Sequence, residues 1–166
     1  SISLTQGTYQ ALLEDIADSL KQHGFTDIVM IGDSGGNQRG MDAAASALNS
    51  RWDQETARAH SVREFYDPGW DATEDYTRRV LGVSETRKDG HHDDIWVTAM
   101  MMVSDPDQVR YQQRVAAGLA SINGVSIADL DASIDLGREM IEFRAELAAE
   151  AIRQRIVTAT DSVNTR

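Results

Sequence analysis

The stretch Phe25-Thr26-Asp27-Ile28-Val29-Met30-Ile31-Gly32-Asp33-Ser34-Gly35-Gly36-Asn37 decides the fold class. A short apolar run, Ile28 to Ile31, ends in a turn rich in glycine, and a helical pattern starts directly after it. This is the signature of a buried strand feeding a glycine-rich loop and then a helix, which places polar groups at the carboxyl edge of a parallel sheet. Glycines in such a loop let the backbone come close to a ligand. The loop is therefore a candidate site, with Asp33, Gly35, Gly36 and Asn37 as substrate-binding residues and Ser34 as a possible nucleophile or binding hydroxyl. A serine nucleophile needs a base to activate it, and loop serines more often satisfy nearby backbone amides.

Gly32-Asp33-Ser34-Gly35-Gly36 also matches the nucleophile motif of trypsin-like proteases. Those enzymes are all-β, with the histidine and aspartate preceding the serine. Here the sole histidine ahead of Ser34 is His23, at the end of a helical pattern, so the context rejects that reading.

Outward from the loop, Tyr9, Leu12, Leu13, Ile16 and Leu20 share one face of an expected helix beginning at Thr5 or Thr8, which Gly24 should stop. Asn37 is expected to cap a second helix whose small residues Ala43, Ala44, Ala45 and Ala47 suit packing on a sheet, ending near Trp52. A strand-like run follows at Ala59–Phe65, then an Asp67-Pro68-Gly69 turn, a helix over Thr73–Leu81 and a polar loop over Ser84–Gly90. Asp105-Pro106 should start a short helix through Arg114. Ile122-Asn123-Gly124-Val125 reads as a turn or hairpin, and a long helix should run from Ile127 to Val157, leaving a frayed tail at Thr160–Arg166. Strand alternating with helix gives an α/β class. With 166 residues the chain is long enough for one ordinary domain, expected to be residues 1–166.

Two or three strands are too few for a doubly wound sheet. The sequence therefore predicts that further strands come from another polypeptide, an N-terminal companion, or from an assembly. A formal net charge of −11, with basic residues scattered among acids, argues against nucleic-acid or anionic-membrane partners. The absence of cysteine excludes disulfides and thiolate chemistry. No apolar stretch is long enough for a membrane span and no signal-peptide pattern is visible, so a cytoplasmic location is expected.

A second motif, His92-Asp93-Asp94-Ile95-Trp96-Val97-Thr98-Ala99, precedes Met100-Met101-Met102 and the Asp105-Pro106 helix start with Val109. Together with His23-Gly24-Phe25 and the glycine loop, it resembles the creatininase (creatinine amidohydrolase-like) family, over that family's C-terminal two thirds. There the loop reads N-G-H-G-G-N and the second motif H-A-G-E-x-E-T-S. Positional matches are Gly35, Gly36, Asn37, His92 and Thr98. Ser34 stands where the family has a metal-binding histidine, and Ile95 and Val97 stand where it has acidic residues. The resemblance implies a three-layer α/β/α fold with a mostly parallel sheet, a homo-oligomer of hexameric type, and metal-dependent hydrolysis of cyclic or linear amides of small molecules.

On this resemblance His92 is the acid/base, suited by an ordinary pKa near ~6.5. Asp94, or its neighbour Asp93, would orient it or replace a lost ligand. Adjacent acids ahead of an apolar helix also simply complement its dipole. The altered ligand positions reduce the expected metal content to one divalent ion, zinc or manganese, with His92, Asp94 and Asp33 as candidate ligands. Trp70 and Trp96 could line a pocket for a flat ring or serve as packing, and the three consecutive methionines read as core filler. Ser1 opens two alternatives. It could be the N-terminal nucleophile of a self-processed amidohydrolase with its own amine as base, or the start of a trimmed or separately encoded chain. The rival to hydrolysis as a whole is a degenerate family member kept as a ligand-binding or structural subunit.

Overall fold

A computed structural model describes residues 3–53, 55–88 and 92–164. In chain order the elements are α1 (Gln6–Gln22), β1 (Asp27–Ile31), α2 (Gly35–Arg51), β2 (Arg58–Val62), α3 (Gly69–Arg79), α4 (Ile95–Ser104), α5 (Tyr111–Ala116), β3 (Ser121–Ile122), β4 (Val125–Ser126) and α6 (Leu130–Asn164). The mixed helix and sheet content agrees with the α/β class. Two compact units form, residues 1–68 with 147–166, and residues 69–146. No helix among the described residues is long and apolar enough to cross a membrane.

In the first unit β1 and β2 pair in parallel, with Ile28 opposite Ala59 and Ile31 opposite Val62. A parallel pair requires a crossover, and α2 provides it. The small residues of α2 do pack closely: Met41, Ala44, Ala45 and Leu48 join Ile28, Met30, Ala59 and Trp52 in one buried cluster. The chain leaves α1 through Gly24 at φ +92°, as the stop signal predicts. The apolar face of α1 is narrower than its sequence suggests. Tyr9, Leu13 and Leu20 pack on the cluster, whereas Leu12 and Ile16 are exposed.

Side chains of α1 and α2 are tied by a polar network. Asp18 accepts from Trp52 Nε1 at 2.9 Å and from Arg51 at 2.6 Å, and Arg51 also reaches Glu14 at 3.0 Å. Gln10 and Arg51 both donate to Glu14, which holds its carboxyl below the usual range, while Arg51 is pushed up by the same Glu14 contact.

The outer edge of β2 is occupied by a side chain. Asn49 of α2 donates to the Ala59 carbonyl and accepts from the Ala59 N–H, both at 2.8 Å. Its amide thus takes the place of a neighbouring strand at that residue.

Several boundaries differ from the sequence reading. Helix α2 is capped at Ser34, not Asn37: Ser34 is extended and its carbonyl accepts from Asn37 N at 3.1 Å, so the two glycines enter the first turn. Strand β2 stops at Val62 because Arg63–Phe65 closes a 3₁₀ turn. The Pro106 helix is split. Asp105 caps a 3₁₀ turn over Pro106–Val109, Arg110 turns left-handed at φ +54°, and α5 begins at Tyr111. Helix α3 also starts earlier than Thr73, at Gly69, and α6 starts later than Ile127, at Leu130, and reaches Asn164.

The second unit has its own core, in which Ile95 and Met102 of α4 meet Val109, Tyr111, Ile122 and Ile127. The expected hairpin is present as β3–β4, with Asn123 and Gly124 both at positive φ in its two-residue turn.

Candidate functional site

The glycine loop of the first unit leaves β1 and enters the N-terminus of α2. Gln38, buried one turn into α2, reaches back to donate to the carbonyls of Gly32 (2.9 Å) and Ser34 (3.0 Å). The loop is thereby pinned by its carbonyls. The first N–H groups of a helix lack intrahelical acceptors and carry the positive end of its dipole. Asp33, Ser34, Gly35 and Gly36 are exposed beside them, and Asn37 is half-buried. The Ser34 side chain makes no capping bond even though Ser34 holds the cap position. Such a helix start can favour a carboxylate or a developing oxyanion.

His92 and Asp94 lie in the second unit, ahead of and at the start of α4. Asp94 occupies the cap position and is buried, but its carboxylate does not cap the helix. Glu85, from the loop after α3, does so instead, accepting from Ile95 N at 2.5 Å. The Asp94 carboxylate faces Lys88 Nζ at 3.4 Å. Asp94 is the main reason the Lys88 ammonium is held above its usual pKa, with smaller contributions from Glu74 and Glu85. Thr98 is buried and its N–H makes the first helical bond, to the Asp94 carbonyl at 3.1 Å.

His92 is exposed and its backbone is left-handed, φ +68°, a conformation that costs a non-glycine residue about 1–3 kcal/mol. Its ring stands edge-on to Trp70 at 6.0 Å, and Trp70 stands edge-on to Trp96 at 4.7 Å. Trp96 is buried, with the Arg144 guanidinium 5.1 Å over its ring. The Trp96 Nε1 donor has no partner among the described residues, a deficit worth about 1–3 kcal/mol.

Of the residues proposed from sequence, Asp33, Ser34, Gly35, Gly36 and Asn37 are brought together in the first unit, and His92 with Asp94 in the second. Ser1 lies outside the described residues. Among the described residues no three His, Cys, Asp or Glu side chains converge to hold a metal ion. Asp33 belongs to a different unit from His92 and Asp94, and the Asp94 carboxylate already faces an ammonium.

Sequence reasoning missed Glu85, Lys88 and Asn123. The buried Asn123 carbonyl accepts from Thr86 N (3.0 Å) and Arg87 N (3.3 Å), so the hairpin turn holds the loop that carries Glu85 and Lys88. The Asn-Gly pair marked the turn, but nothing local marked what it would grip.

No curated protein and no solved structure matches the chain. The family model described as creatininase, creatinine amidohydrolase, matches residues 1–152. The match spans both units and both motifs, the glycine loop and the segment from His92 to Thr98, and the chain belongs to the creatininase family.

Proposed function

We propose that the protein hydrolyses a non-peptide C–N bond in a small cyclic or linear amide. The observation that carries this reading is the glycine loop: an exposed helix N-terminus, stripped of its carbonyls by Gln38, in a member of an amidohydrolase family. Water adds to the amide carbon, and His92 takes the proton that the water loses. The glycine loop, through backbone N–H groups such as those of Gly35 and Gly36, is assigned the binding of substrate or oxyanion. The C–N bond then breaks, and His92 returns the proton to the leaving nitrogen. Asp94, held by Lys88, keeps a carboxylate near the start of α4.

Members of the family are typically metal-dependent. The described residues do not by themselves supply a metal-binding set, so no step is assigned to an ion. A sheet completed by further strands, in a three-layer arrangement, fits the observed edges. Ala59 on β2 is closed by Asn49, and no described strand pairs with the outer edge of β1. An N-terminal companion strand or chain, within a homo-oligomer, would occupy that edge.

The test is His92→Gln in the native assembly, measured with a panel of cyclic and linear amides. Turnover should fall by about a hundredfold or more, with the melting temperature unchanged. Unaltered turnover would refute the assignment. A second reading, a degenerate member acting as a ligand-binding or structural subunit, is favoured by the Lys88–Asp94 pair and by Ser34 and Val97 in place of ligands. It predicts no hydrolysis of any panel member by the wild-type protein.

A further inference from the structure

The proton transfer assigned to His92 needs its ring held in one place, because an acid/base works only within hydrogen-bond reach of the proton it moves. An exposed side chain in a loop does not hold itself there. His92 is exposed, and its left-handed backbone, φ +68°, fixes where the side chain starts but not where the ring ends. The orientation of the ring has to come from what it packs against.

Trp70, the half-buried second residue of α3, is placed to supply it. Its ring stands 6.0 Å from the His92 ring at 74°, inside the distance range and near the perpendicular arrangement in which aromatic rings attract. Trp70 is itself held on two sides. Its indole N–H donates to Glu74, one helical turn on, at 3.2 Å, and its ring packs edge-on at 4.7 Å against Trp96 of α4. Trp96 is buried under the Arg144 guanidinium, and Arg144 donates at 3.1 Å to Thr73, three residues after Trp70 on α3. The row Trp70, Trp96, Arg144, Thr73 thus closes on itself, and a histidine resting on it inherits that rigidity. An aromatic pair of this kind biases a rotamer population by about two- to tenfold.

We propose that Trp70 is a positioning residue for His92: it aims the imidazole before substrate arrives and touches no reacting atom itself. The proposal rests on the reading of His92 as the acid/base.

The experiment combines NMR and kinetics on the full chain in its native assembly. Four histidines give four sets of imidazole signals, and His92→Gln identifies those of His92. The ring current of the neighbouring indole displaces them. Trp70→Leu should return them towards the position of an unstructured histidine. Glu74→Ala, at an exposed site, frees the indole without removing core volume and should move them the same way by less. Trp70→Leu should lower kcat for amide hydrolysis by about two- to tenfold with KM unchanged, the size of the lost bias. Trp70→Phe, which keeps a ring, should retain most of the rate. In the His92→Gln background Trp70→Leu should have no further effect on kcat, whereas a merely structural loss would appear equally in both backgrounds. His92 signals unmoved by Trp70→Leu and Glu74→Ala overturn the proposal, as does an equal loss of kcat in both backgrounds. If His92→Gln leaves turnover intact, the acid/base reading fails and this role fails with it. If His92→Gln abolishes turnover while Trp70→Leu spares it, only the positioning role fails.

Discussion

Gly137→Ala gives the sharpest test of packing in the second unit, because two general rules predict opposite signs. Gly137 lies in α6, where alanine should stabilise an exposed helix by about 1 kcal/mol through propensity alone. Here a Cβ would stand 2.2 Å from the Ala99 carbonyl oxygen and 2.6 Å from both the Ala99 carbonyl carbon and Val103 Cγ2. Ordinary contacts are 3.4–4 Å, so α6 would have to move from α4 by more than about an ångström. Two of the three obstacles are backbone atoms and cannot rotate aside. The neighbouring Ala99, Met102 and Met140 are fully buried, so separation also loosens their packing. Overpacking costs about 1–3 kcal/mol in well-packed cores. With backbone as the obstacle, the upper end applies, and the net loss after the propensity gain is about 2 kcal/mol. For a chain of this length that lowers the melting temperature by about 4–8 °C, measurable by circular dichroism. Gly7→Ala, where a Cβ meets nothing within 4 Å, serves as the control and should leave the melting temperature unchanged or slightly raised. A Gly137→Ala protein as stable as wild type would refute the close approach of α4 and α6.

Further substitutions test the polar contacts. Ser34→Ala should cost less than about 0.5 kcal/mol in denaturant titrations, against about 1 kcal/mol for a serine that caps through its side chain, since Ser34 makes no such bond. Asp18→Ala should cost about 1–3 kcal/mol because it strands the Trp52 indole N–H, and Trp52→Phe in that background should recover part of the loss. The Glu14 carboxyl is depressed by Gln10 and Arg51, so its contribution is present above the unfolded pKa near 4.5 and lost as pH falls through the lower folded value. Melting curves of Glu14→Gln and wild type should therefore differ at neutral pH and converge as the pH falls through that lower folded value.

The first unit was legible because its signals are local. An apolar run, a glycine turn and a small-residue helix define β1, the loop and α2 within 25 residues of one another, and the parallel crossover follows from their order. The face of α1 was misjudged at Leu12 and Ile16 because periodicity says which residues share a side, not how wide a side the described core covers. The Asn37 error has the same character: Asn is a good cap, but where the chain turns is set by the extended Ser34 and the grip of Gln38 on the loop carbonyls. Around α4 the sequence marked His92, Asp93 and Asp94 through adjacency and motif. Glu85 and Lys88 gave no sign, since a residue ten positions away can cap a helix only through a loop whose path is fixed by Asn123.

That loop explains how a carboxylate at a helix start can be kept for something other than capping. An aspartate at the cap position ordinarily spends its oxygens on the first free N–H groups and is stabilised by the dipole. In this protein the two tasks are separated. Glu85 satisfies the Ile95 N–H, and Lys88, three residues further along the same loop, balances the charge of Asp94. Asp94 is left buried, ionically supported and not committed to the backbone. Its position follows His92 in a segment that the creatininase family model covers. If the separation serves function, Lys88→Met should impair turnover or ligand binding while Glu85→Gln, which still offers an acceptor to Ile95, leaves α4 intact. Equal loss of stability in both variants, with no separable effect on either activity, would instead make the pair a structural clamp.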